Sequence, residues 1–217
     1  MFRSRMNGRS NRIAVLSGWM IFAAAAATVP VATAAAAQAS TASSSPQVTP
    51  AQIPAEKQTI LGLYVTAEEA YQRWEAAPDK VKIIDVRTPE EVFWVGHPPM
   101  AWKIPVVAVT YEWDADKQQF PMRPLPDFVT RVQKVAKPDD TLMVMCRSGG
   151  RGAMAVNLLA KAGYKNVYNV TDGMEGDSVD DPESVFQGQR LVNGWKNSGL
   201  PWTYKVDPAR LVLPPAP

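Results

Sequence analysis

The chain has 217 residues, 46% of them apolar and 20% charged, which suits one globular domain with appendages. Its formal charge of +2 misleads, because Arg3, Arg5, Arg9 and Arg12 all precede the first acid and the chain beyond them carries about −2. No basic patch is left to suggest nucleic acid. A single histidine excludes a histidine-rich metal site, and a single cysteine excludes an internal disulfide.

Residues 1–39 read as a secretory signal: four arginines, an uncharged apolar stretch over 13–37, and small-residue cleavage patterns at Ala32-Thr33-Ala34 or Ala37-Gln38-Ala39. An uncleaved anchor is the rival reading, against which Pro30 and the many alanines count. Export across the inner membrane to a periplasmic location is the expectation, with membrane contact only through this segment. Residues 40–57, rich in Ser, Thr, Pro, Gln and Ala, read as a flexible linker, and 58–217 as the folded domain. Within it, 61–65 reads as a strand. Thr66-Ala67-Glu68-Glu69 matches a capping box that opens a helix to about residue 76. Residues 81–86 read as a buried strand and 105–109 as another. A helix over 126–136 leads through Pro138-Asp139-Asp140 into a strand at 141–145. A helix follows over 152–162, a strand over 167–170, and a last helix over 189–198 that ends at Gly199 and Pro201. Strands alternating with helices predict an α/β fold, a central mostly parallel sheet flanked by helices.

Cys146 is the only cysteine, and it opens the run Cys146-Arg147-Ser148-Gly149-Gly150-Arg151. In a parallel sheet the ligand site lies at the carboxyl ends of the strands, where a strand feeds a helix through a tight loop. The two glycines allow positive φ angles, so backbone N–H groups and the following helix dipole converge as an anion cradle. Arg147 and Arg151 add two cations, a field that favours the nucleophilic thiolate. The plainer reading is a small, inert core cysteine, but such a thiol gains nothing from flanking guanidinium groups.

The order of motifs resembles a single-domain rhodanese-like sulfurtransferase. Ile83-Ile84-Asp85-Val86-Arg87-Thr88-Pro89-Glu90-Glu91 is similar to that family's first motif, and the segment from Gly96-His97-Pro98-Pro99 to Ile104-Pro105 to its second. Cys146–Arg151 resembles the active loop, and Trp195-Lys196-Asn197-Ser198-Gly199-Leu200-Pro201 the closing helix. The resemblance implies that Cys146 attacks the outer sulfur of thiosulfate or a similar donor, holds it as a persulfide and passes it to a thiophilic acceptor such as cyanide, a thiol or a protein. It makes Arg147, Ser148, Gly149, Gly150 and Arg151 the substrate cradle, and it implies no cofactor and no metal.

Four residues separate Cys146 from Arg151, one fewer than in cysteine phosphatases, which places phosphatase or arsenate reductase chemistry behind sulfur transfer. A non-turnover module that binds a sulfur species or oxyanion and recruits a partner stays open as the competing class. Asp85 and Arg87 are expected to support the loop through hydrogen bonds or an ion pair. His97 is expected to fix a turn rather than move protons. Segments 111–125 and 171–187 read as solvated loops, with walls for the cavity mouth or partner docking as the sharper alternative.

Overall fold

The computed structural model describes residues 53–215. The expected signal segment and residues 40–52 of the expected linker lie outside them. Five strands form one parallel sheet, β1 (Tyr64–Val65), β2 (Val81–Asp85), β3 (Trp102–Lys103), β6 (Thr141–Met145) and β7 (Val167–Val170), in the order β1-β7-β6-β2-β3. The remaining strands, β4 (Val107–Val109) and β5 (Met122–Pro124), make a separate antiparallel ribbon. Four helices connect these elements: α1 (Ala67–Ala76), α2 (Pro89–Val95), α3 (Phe128–Val132) and α4 (Gly150–Lys161).

The pleat explains how the core divides. On β6 and just past its end, Leu142, Val144 and Cys146 face one side with Ile84, Val86, Val156 and Leu159, whereas Met143 and Met145 face the other with Ile83, Ala70 and Trp195. A parallel sheet covered on both faces needs such nearly continuous apolar strands. Both central strands, β2 and β6, supply them, and the alternation aims Cys146 at the α4 side.

Two helices begin as their local sequences dictate. Thr66 and Glu69 complete a capping box at α1, and Thr88 and Glu91 complete a second one at α2, with Pro89 pre-set for the first turn. The expected strands at 141–145 and 167–170 are found as such, whereas 61–65 shrinks to Tyr64–Val65.

Several expectations need correction. The linker does not reach residue 57: Ile53 is buried, Ala55–Lys57 forms a turn of 3-10 helix, and the Lys57 amine holds Asp177 at 2.7 Å. Local composition carried no sign that this segment packs against residues more than a hundred positions away. The strand near 105–109 belongs to the ribbon, because β3 and the later segment at Leu211 take the sheet edge instead. The helix over 126–136 narrows to Phe128–Val132 and unwinds into tight turns. No helix forms over 189–198. Gly194 sits at φ +95° with its Cα so close to Gly176 that an added Cβ would fall 2.4 Å from the Gly176 nitrogen, and only single turns follow it. Trp195 is nonetheless fully buried, so an apolar anchor there was legible and its backbone was not.

Candidate functional site

Cys146 stands immediately after β6, free and buried, at a cavity of about 380 Å³. The chain then turns sharply so that Gly149 N–H donates to Cys146 Sγ at 3.2 Å. Gly149 adopts φ +98°, and an added Cβ would meet Thr171 O at 2.4 Å, so both the turn and its close approach to the sheet require glycine. Gly150 plays a different part from the one expected: it has no positive φ and is the first residue of α4. No side chain caps α4, so the unsatisfied N–H groups and positive dipole end of this twelve-residue helix sit beside the thiol.

The two arginines, equivalent in the sequence, diverge in the structure. Arg147 is exposed and makes no ion pair among the described residues. Arg151 makes a two-pronged pair with Glu91, both bonds 2.6 Å, while still lining the cavity. Burial alone would lower the Arg151 pKa, but hydrogen bonding and charge from Glu91 reverse this and push it up. Glu91 shows the mirror effect: burial would raise its pKa, and Arg151 brings it below the usual carboxylate range. Glu91 also accepts from Thr88 N–H at 3.1 Å, so one carboxylate serves the α2 cap and the active loop together. The sequence reading missed it. Its signal was the capping box itself, which places an acid at that position without revealing a second partner 60 residues on.

The loop is also held from behind. Cys146 O accepts from Met174 N–H at 2.8 Å and Arg147 O from Glu175 N–H at 2.9 Å. Gly173, at φ +61°, approaches so closely that an added Cβ would lie 2.5 Å from Cys146 O. Asn169 donates to Gly149 O at 3.2 Å and to Lys57 O at 2.9 Å. Asp172 accepts from Ala67 and Gly194 N–H groups at 2.8 and 3.1 Å. Its burial outweighs those bonds and pushes its carboxyl up to about 6. The acidic segment therefore splits: 172–177 packs beneath the loop, whereas Asp180, Asp181 and Glu183 stand in solvent.

The segment between β4 and β5 reaches the cavity from the front. Gln119, Phe120, Pro121 and Met122 line it, and Met122 Sδ lies 3.8 Å from Arg151 Nη1. At its tip Trp113 and Phe120 meet edge to face with centroids 5.3 Å apart, both more than half exposed.

Asp85, Arg87 and His97 lie apart from the Cys146 cavity. Asp85 and Arg87 are fully buried and paired at 2.7 Å, and Arg87 also donates to Gly96 O at 2.8 Å. They brace the turn after β2 and do not line the Cys146 cavity. His97 is fully buried, and its backbone exchanges two 2.9 Å hydrogen bonds with Thr203. Burial, assisted by the Lys103 charge, lowers its pKa and so favours the neutral ring.

A buried thiol under a backbone donor, a helix N-terminus and an exposed guanidinium forms a seat for a small anion beside a nucleophile. The family model for the rhodanese-like domain matches residues 66–178. An uncharacterized protein of Rickettsia prowazekii is 32% identical over 122 residues, covering 56% of this chain and 82% of that one. A mitochondrial protein of Schizosaccharomyces pombe, provisionally named a thiosulfate sulfurtransferase, is 32% identical over 91 residues, or 41% of this chain and 57% of that one. The solved structure of Rv0390 from M. tuberculosis superposes with a TM-score of 0.47 at 27% identity, covering 65% of this chain and 96% of that chain.

Proposed function

This chain belongs to the rhodanese-like domain family, and on that footing we propose that it is a sulfurtransferase that carries sulfane sulfur on Cys146. The observation that carries the reading is the Gly149 N–H on Cys146 Sγ, at the floor of a cavity that opens past Arg147 and the N-terminus of α4. The Cys146 thiolate attacks the outer sulfur of thiosulfate or a similar donor. A bond forms between Cys146 and that sulfur as the donor's sulfur–sulfur bond breaks, and sulfite leaves with the electron pair. The N–H groups of the loop and of α4 hold the resulting persulfide, while Arg147 receives the departing oxyanion. Arg151, tied to Glu91, fixes the loop and contributes its field. In the second half-reaction a thiophilic acceptor (cyanide, a small thiol or a sulfur-accepting protein) attacks the outer sulfur, and the Cys146 thiolate is the leaving group. With no second cysteine in the sequence, the acceptor comes from another molecule.

The test is direct. Incubation with thiosulfate adds the mass of one sulfur to the intact protein, cyanide or a dithiol removes it, and Cys146→Ala shows neither. Efficient hydrolysis of aryl phosphates, or reduction of arsenate, without sulfur uptake overturns the assignment. A persulfide that no acceptor discharges makes the protein a carrier rather than an enzyme. The basic and apolar pattern of residues 1–39 supports export to the periplasm, and amino-terminal sequencing of protein recovered from a periplasmic fraction checks both location and cleavage point.

A further inference from the structure

A second cavity, of about 370 Å³, lies under the segment that follows Trp202. That segment runs along the free edge of β3, where Leu211 bridges Lys103 and Val212 N–H donates to Lys103 O at 3.0 Å. Arg131 and Arg210 fasten it further by donating to Val212 O and Met100 O. The cavity walls are almost wholly apolar, with Val92 and Phe93 of α2 on one side and Val206, Leu211 and Leu213 on the other. The outer wall lies beyond residues 66–178, which the family model matches.

Two cations line this apolar space. Lys103 is 1% exposed and Arg87 is fully buried, and Lys103 Nζ and Arg87 Nη1 have no hydrogen-bond partner among the described residues. Among the described residues Asp85 is the fully buried carboxylate beside them, its oxygens engaged by Arg87 Nε and Nη2, while Glu91, already held by Arg151, and Glu175 act on Arg87 without being fully buried. Burial favours the neutral form of His97, and Arg210 and Asp207 act on Lys103 in opposite senses. Burial lowers the Lys103 pKa to about 8, which leaves it protonated at neutral pH. The buried set therefore holds one cation more than it holds anions. An unpaired buried ammonium destabilises a fold, and Met would fill the same volume without that cost.

We infer that the cavity beneath the C-terminal segment is a binding site for a small carboxylate with an apolar body, its head on Lys103 and Arg87 and its body against Val92, Phe93, Val206 and Leu211. One negative charge balances the excess cation, and a planar carboxylate can accept from an ammonium and a guanidinium at once. Apolar walls disfavour strongly hydrated dianions such as sulfate or thiosulfate. The volume falls at the low end for ligand pockets, which limits the occupant to a medium-length chain or a single ring. The inference does not depend on sulfur chemistry at Cys146.

Calorimetric titration of the full chain with octanoate and phenylacetate, each against its neutral alcohol and against acetate, tests it. At least one of the two carboxylates is expected to bind roughly tenfold or more tighter than its alcohol and than acetate, and which one does so separates a chain from a ring. Lys103→Met is expected to abolish the preference for the carboxylate, to leave binding of the alcohol in place and to retain or raise the thermal midpoint. Val206→Trp, which fills the cavity from its outer wall, is expected to abolish binding of both and provides the check should Lys103→Met fail to fold. A carboxylate that binds no better than its alcohol, or equally well to Lys103→Met or Val206→Trp, overturns the inference, as does a lack of binding by every probe.

Discussion

Helix α2 walls one cavity and reaches the other only through Glu91 on Arg151, and the two recognise charge by opposite means. At Cys146 the donors are backbone N–H groups and an exposed guanidinium, and the half-buried Arg151 is already satisfied by Glu91 on α2. Around Val92 and Phe93 of α2, the cations are buried side chains in an apolar wall, and among the described residues Lys103 Nζ and Arg87 Nη1 are left without a hydrogen-bond partner. The first arrangement suits a hydrated anion that arrives, reacts and leaves, since a backbone seat open to solvent demands little desolvation. The second suits a ligand that stays, because both the charge and the apolar body gain from being removed from water.

The sharpest way to separate the two is Cys146→Ala. Sulfur uptake should fall below detection by intact mass, whereas octanoate binding at the second cavity should be unchanged. Next in size is Gly173→Ala. Its Cβ would fall 2.5 Å from Cys146 O at a φ of +61°, so stability should drop by about 2–4 kcal/mol in denaturant titration, with a large loss of turnover because the loop must move. Glu91→Gln probes the element that both cavities use. Losing the two-pronged bond to Arg151 should cost about 1–3 kcal/mol, and the released guanidinium should lower the KM for thiosulfate. A KM unchanged in this variant would show that Arg151 does not reach the anion even when free.

A further effect distinguishes the cavities by pH. Asp172, just before the glycine behind the Cys146 loop, has a carboxyl raised from 3.8 to about 6 in the fold. The folded state thus binds a proton more tightly than the unfolded one, and stability present at low pH is lost as pH rises from about 4 to 6. Lys103 is lowered from 10.5 to about 8. There the unfolded state holds the proton more tightly, so stability increases as pH rises from about 8 to 10.5. Denaturation midpoints against pH should lose the first slope in Asp172→Asn and the second in Lys103→Met. Smallest of all is Trp113→Ala at the ribbon tip, where both aromatic partners are largely exposed. Stability should change by no more than about 0.5 kcal/mol, with thiosulfate uptake intact.

Much of this was legible in the chain, and the exceptions share a cause. The β6 and β7 strands, the Thr66 capping box and the Cys146 loop are each written in fewer than a dozen consecutive residues. The helix expected over 189–198 failed because Gly194 must pass against Gly176, a clash between segments that no local pattern reports. The same holds for Gly173 behind Cys146 and for Glu91 on Arg151.

The sequence by itself determined the α/β class, the alternation that places Cys146 on one face of the sheet, and the turn that brings Gly149 N–H to its sulfur. Periodicity, capping and glycine conformation are local properties and act wherever the rest of the chain goes. Only the tertiary structure decided that one of two similar arginines would be tied down and the other left free, and that residues 53–57 would join the fold. It alone decided that the segment along β3 would enclose the Lys103 amine with no hydrogen-bond partner among the described residues. Those outcomes depend on which distant surfaces meet, and burial then fixes the energetic meaning of each charge.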